Sequence, residues 1–181
     1  MKKLISFAMF VMLLSGCSIM APGYTPSVKS VQAIKTSGSA PVAVSKATVA
    51  KASLNSVSLR GNSLKSPYGD YSSYIEQALK KELTDAGLLD EKSVLVIGSQ
   101  LTKNDMDVAM GTGKGDLAAV FTVTKAGKKI FEKEITAHEE WESSFVGAIA
   151  IPNAMKAYPT LVNTLVTNLF KDKDFLKSIS K

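Results

Sequence analysis

Two apolar stripes with helical spacing, separated by three runs of period-two alternation, leave this chain few ways to fold. Tyr71, Tyr74, Ile75, Ala78, Leu79, Leu83 and Ala86 recur at the 3.6-residue period of a helix. Leu161, Val162, Leu165, Val166, Leu169 and Phe170 do the same near the C-terminus. Between the stripes, Leu95, Ile97 and Leu101 share one face of a β-branched run, and Leu117, Ala119, Phe121 and Val123 alternate with smaller or polar residues. Phe131, Ile135, Ala137 and Trp141 then alternate with Glu132, Glu134, His138, Glu140 and Glu142, the pattern of an antiparallel strand with one wet face. Leu54–Arg60 adds a strand before the first helix, with Val57 and Leu59 on one side. The order is strand, helix, three strands, helix. It predicts a two-layer α+β fold: a mixed sheet of four or five strands with both amphipathic helices packed on one face.

Local signals place the ends of these elements. Ser73 and Glu76 have capping-box spacing, Glu76 and Lys80 form an i,i+4 pair, and Gly87 suits the left-handed residue that ends a helix. Ser66-Pro67-Tyr68-Gly69-Asp70 and Lys125-Ala126-Gly127-Lys128 read as turns, and Met110–Gly115 as a loop joining two strands. Pro159 either opens the last helix or kinks a longer one that starts after Pro152. Tyr71 and Tyr74 are expected in the core rather than on a binding platform.

The N-terminus carries a different kind of information. Lys2 and Lys3 precede an uncharged apolar run, Leu4–Leu14, and Ser15-Gly16 then lead to Cys17, the one cysteine of the chain. That is the anatomy of a secretory signal, and its apolar run is too short for a bilayer core of roughly 30 Å. A lone cysteine excludes an internal disulfide and a thiolate zinc site. Residues 18–53 are rich in Ser, Ala, Pro, Val, Thr and Lys and poor in large apolar side chains, so they are expected to form a flexible tether spanning about 35 Å. The alternative is an extra edge strand built from Val42, Val44, Val49 and Leu54. The tether is basic: Ser18 to Gly69 holds six Lys and Arg and no acidic residue, whereas Asp70 to Lys181 has a net charge of −2. The division is therefore signal peptide 1–16, Cys17 with a basic tether over 17–53, and an α+β domain over 54–181.

Little in the domain suggests chemistry. Gly111-Thr112-Gly113-Lys114-Gly115-Asp116 lacks the spacing of a phosphate loop. His138 stands among Glu139, Glu140 and Glu142 on a surface-patterned strand, without the converging ligands that a metal needs. Ser143 and Ser144 lie outside any nucleophile elbow. No catalytic residue, metal or cofactor is expected, and no basic face with groove-reading or aromatic elements suggests nucleic acid. The best candidates for a partner contact are Trp141, Phe145, Val146 and Ile149, in an apolar stretch on an expected loop. The competing and preferred expectation tucks Phe145, Val146, Ile149 and Ile151 under the sheet to cap the core.

Leu14-Ser15-Gly16-Cys17 resembles the lipobox of bacterial lipoproteins. That resemblance implies cleavage before Cys17, a diacylglyceryl thioether on its sulfur and an acylated amino group. Ser18 in place of Asp after the cysteine implies carriage to the outer membrane, on its periplasmic face. Ser58-Leu59-Arg60-Gly61, Ser66-Pro67-Tyr68-Gly69 and Trp141-Glu142-Ser143-Ser144-Phe145-Val146-Gly147-Ala148 are similar to stretches of an uncharacterised family of small proteobacterial envelope lipoproteins. The order of helices and strands is loosely similar to that of auxiliary lipoproteins of envelope transport systems. The expectation is a non-enzymatic accessory or docking lipoprotein, membrane-bound through Cys17 and meeting a periplasmic protein partner. The alternative is a lipid- or small-ligand-binding lipoprotein of a transport system.

Overall fold

The computed structural model describes residues 18–181; the expected signal peptide and Cys17 lie outside the described residues. In chain order the elements are β1 (Ser18–Met20), α1 (Val28–Lys35), β2 (Ala43–Val44), β3 (Thr48–Val49), a 3₁₀ turn (Ala52–Asn55), β4 (Val57–Leu59), β5 (Asn62–Lys65), α2 (Tyr71–Ala86), β6 (Leu95–Asp107), β7 (Thr112–Lys125), β8 (Lys128–Glu142), α3 (Gly147–Lys171) and α4 (Lys173–Ser178). The fold is α+β. β6, β7 and β8 form a long antiparallel meander, and β2 and β3 pair parallel to the outer side of β6 to complete a mixed five-stranded sheet. β4 and β5 make a hairpin, joined in parallel by β1, in a second sheet of three strands.

Both expected stripes are buried. Tyr71, Tyr74, Ile75, Ala78, Leu79 and Leu83 of α2 and Leu161, Val162, Leu165, Val166, Leu169 and Phe170 of α3 are almost wholly shielded. They meet Leu117, Ala119, Phe121 and Val123 of β7 and Phe131, Ile135 and Ala137 of β8. Removing this contiguous apolar surface from water, at about 25 cal/mol per Å², is the main driving force for the two-layer arrangement. Glu76 and Lys80 pair at 2.8 Å, and Gly87 ends α2 at φ 71°.

Four expectations are corrected. The first is the tether, because residues 18–53 are folded onto the domain. Ala21, Tyr24, Ile34 and Val42 are buried in the common core. Amides of Ala40, Val42, Ser45 and Ala50 donate to carbonyls of Ile179, Leu88, Ile97 and Leu101. Few apolar residues are needed because the segment settles on surfaces that the larger elements already provide. The extra-strand alternative is realised as β2 and β3.

The second correction concerns the start of α2. Asp70, not Ser73, is the cap, accepting from the amide of Ser73 at 2.7 Å, and Glu76 is turned instead toward Lys80 and the amide of Ala47. Third, Met110–Gly115 is mostly strand. Gly113 lies under the indole of Trp141, where a Cβ would sit 2.4 Å from the ring, and at Gly115 a Cβ would sit 2.9 Å from a methyl of Leu161. These glycines make room for packing and do not mark a loop. Finally, α3 begins at Gly147, earlier than expected, and runs through both Pro152 and Pro159. Neither proline has an amide to offer, so the carbonyls of Ala148 and Met155 lose their usual helical donor.

Candidate functional site

Three segments far apart in sequence meet at one end of the molecule. The β4–β5 turn places Arg60 at φ 52° and Gly61 at φ 83°, a two-residue connection of the kind that matches strand twist. From this turn the Arg60 guanidinium reaches the β6–β7 connection and the segment before α3. Its Nε and Nη2 donate to the carbonyl of Val108 at 3.0 and 2.9 Å, Nη2 also to that of Ser144 at 2.7 Å, and Nη1 to that of Phe145 at 2.8 Å. The amide of Ser143 donates to the carbonyl of Gly111, tying the two loops directly. A planar five-donor fork suits this task, since one side chain satisfies three carbonyls that no regular element serves.

The clamp holds an apolar surface in water. Phe145 is 79% exposed, Met110 68%, Ile149 52% and Val146 51%. The preferred expectation that Phe145, Val146 and Ile149 cap the core is therefore overturned, and only Ile151 of that group packs partly against the core. The reason lies at the start of α3. There Ala150, Ala154 and Ala157 take the inward positions and Ile149 falls on the outer side, while Arg60 holds the backbone at Ser144 and Phe145 before the helix begins. Trp141 stays apart from the exposed group. Its indole is half-buried over Gly113, with Nε1 shielded and unpartnered, beside an open groove lined by Asn153, Lys156, Ala157 and Thr160. Met110 and the Arg60 clamp carry no pattern that period counting could detect.

His138 is exposed on the open face of the sheet. Its Nδ1 is 2.8 Å from Asp116 and its Nε2 3.6 Å from Glu140, while Lys103 and Lys114 lie 3.2 and 2.9 Å from the same two carboxylates. The hydrogen bond with Asp116 raises the His138 pKa above its ordinary value, and Glu140 adds to the effect. His138 and Lys103 hold the Asp116 carboxyl below the usual range. Alternating charges thus neutralise one another across neighbouring strands in water. Among the described residues no three His, Cys, Asp or Glu side chains converge as a metal site would require.

A second polar group lies inside the fold. Glu82 is fully buried and accepts from the Tyr24 hydroxyl at 2.5 Å and the Ser27 amide at 3.0 Å, leaving Oε2 without a partner. All five tyrosines of the chain gather here or alongside: Tyr24 and Tyr68 lie edge-on to Tyr74, which meets Tyr158, which meets Tyr71. Desolvation, then the Glu82 contact, pushes the Tyr24 hydroxyl far above its normal range. Tyr71 and Tyr74 are core residues, as expected. The outer edge of β8 is partly closed by α3, whose Asn153 and Asn168 amides donate to the carbonyls of Glu142 and Thr136.

No protein-family model matches the sequence, and no curated protein matches it significantly. Solved structures do. A candidate lipoprotein from Caulobacter crescentus aligns at 8% identity over 82% of this chain and 93% of its own, with a TM-score of 0.47. A Xanthomonas campestris protein of the DUF330 family aligns at 10% identity over 84% of this chain and 92% of its own, with a TM-score of 0.59. At that identity the likeness is one of fold: the chain is built like the DUF330 protein across nearly the whole length of both.

Proposed function

We propose that this chain is a lipoprotein of the periplasmic face of the outer membrane, acylated on Cys17, whose body is a non-enzymatic accessory or docking component. The observation that carries the reading is the position of the one cysteine, directly after Leu14-Ser15-Gly16 at the end of a basic-then-apolar leader. The body's titratable groups support the non-enzymatic half. Lys103, Asp116, His138, Glu140 and Lys114 pair with each other on an open face, where water screens them. The partner surface is this open face of the five-stranded sheet, a flat alternation of charges suited to steering and orienting a complementary protein. The interval between the two long helices and the sheet is filled by Phe121, Tyr158, Leu161 and Leu165, all fully buried, which speaks against a ligand carrier.

The test is fractionation of the native host. Wild-type protein is expected in the outer-membrane pellet, and Cys17→Ser is expected in the soluble fraction. Retention of that variant in the pellet would overturn the anchor. A photo-crosslinking residue at Glu134 is expected to trap a periplasmic protein, and the absence of any protein adduct would count against docking.

A further inference from the structure

The apolar end stands beside the point where the described chain begins. β1 runs parallel to β5 with Ser18 opposite Ser63, three residues beyond Arg60. With strands about 4.8 Å apart and about 3.8 Å between successive Cα atoms, Ser18 lies within roughly 16 Å of the clamp. Cys17 is one peptide unit further. Because residues 18–53 are folded down, no leash separates the acylated residue of the proposed lipoprotein from this end of the body.

The loops at this end are uncharged, although the strand ends behind them carry Asp107, Lys114, Glu140 and Glu142. From Val108 to Gly113, and again from Ser143 to Met155, there is no Asp, Glu, Lys or Arg. Arg60 reaches into these segments with its guanidinium already serving three carbonyls, and the next charges are Asp107, Lys114, Glu142 and Lys156 at their borders. The opposite end, reached along the 13 residues of β6 or about 40 Å, carries Asp90, Glu91 and Lys92 together with Lys125, Lys128 and Lys129 around the β7–β8 turn. A surface of exposed Phe, Ile, Val and Met, projecting beyond the last charged residues of β6 and β8 (Asp107 and Glu142) and next to an acyl attachment point, has the chemistry of a membrane interface.

We infer that Met110, Phe145, Val146 and Ile149, held out by the Arg60 clamp, form a membrane-contact surface that inserts at the headgroup–acyl boundary of the leaflet holding Cys17. This inference rests on the acylation reading and adds an orientation: the body sits on the bilayer by its apolar end, with the open sheet face standing clear for a partner. The acyl chains expected on Cys17 suffice to hold the protein to the bilayer, and the inserted apolar surface adds a second contact. It also fixes rotation about the anchor, which a thioether cannot do.

The test uses the mature acylated chain in vesicles of phosphatidylethanolamine and phosphatidylglycerol. An acylated Cys17 has no thiol, so Phe145→Cys introduces the one reactive site for an environment-sensitive fluorophore, and Lys128→Cys supplies the control at the far end. The probe at 145 is expected to shift to the blue and to be quenched several-fold more by shallow spin-labelled lipid than the probe at 128. In a further variant carrying Met110→Cys, the double change Phe145→Asp and Ile149→Asp is expected to abolish the blue shift at 110 while the protein stays on the vesicles. If the wild-type protein itself reacts with maleimide at Cys17, the acylation reading fails and this inference fails with it. If Cys17 is blocked but the probe at 145 remains as water-like as that at 128, the inference alone is overturned. A blue shift at 145 that appears only on adding envelope protein would assign the surface to a protein partner and equally overturn it.

Discussion

Arg60 donates four hydrogen bonds to three carbonyls in two loops that lie 48 and about 85 positions away in sequence. Lysine cannot copy that geometry, since its ammonium is a point charge without a planar fork. Arg60→Lys and Arg60→Ala should therefore both speed amide exchange in residues 108–111 and 143–146, with little change in α2, as hydrogen-exchange mass spectrometry would show. Glu82 makes the opposite kind of contact, buried and half-satisfied. Glu82→Ala leaves the Tyr24 hydroxyl and Ser27 amide unpaired in the interior. The expected cost is about 2–4 kcal/mol in urea unfolding, where a surface site would cost almost nothing. His138 should titrate above the ordinary imidazole value of about 6.5, because its proton is shared with Asp116. The stabilisation is complete below the unfolded value and is lost as pH rises through the elevated folded value. Imidazole NMR should show the elevated value in the wild type and its return toward normal in Asp116→Asn.

The elements that could be read from the sequence are those whose residues repeat. The α2 and α3 stripes and the alternation in β7 and β8 are visible because burial imposes a period on many positions at once. α1 shows no such signal, since only Ser30 and Ile34 of its eight residues are buried and its stability comes from docking. β2 and β3, two residues each, left only the sparse valines Val42, Val44 and Val49 as a sign, and they exist as additions to β6. Gly113 and Gly115 misled for a related reason. Glycine marks a loop when it supplies backbone freedom, but here it supplies the absence of a Cβ beneath Trp141 and Leu161. Gly113→Ala drives a methyl into a rigid indole, and destabilisation of about 1–3 kcal/mol is expected. Trp141 is the one tryptophan, so its emission should shift in the folded state of this variant while far-ultraviolet circular dichroism is retained. At the candidate site, the apolar stretch containing Phe145, Val146 and Ile149 was legible as unusual. Its exposure goes with small alanines on the inward face of α3 and with the long-range hold of Arg60 on Ser144 and Phe145, neither of which a local pattern encodes.

At the scale of the whole molecule, the folding of residues 18–53 changes what the proposed anchor would do. A basic leash would let the body wander tens of ångströms from a membrane anchor, whereas the docked segment would bring the apolar end of the body to the acyl chains of the proposed anchor. The proposed orientation rests on one arrangement: β1 beside the β4–β5 turn, and the Arg60 clamp beside both. No helix among the described residues is long and apolar enough to cross a membrane. Neutron reflectometry of the acylated protein on a supported bilayer measures the proposed orientation most directly. Protein density that starts within the headgroup layer and extends some 40 Å outward is the expected profile. A hydrated gap approaching the 35 Å or so that a flexible 18–53 segment would span, between headgroups and protein, would contradict it.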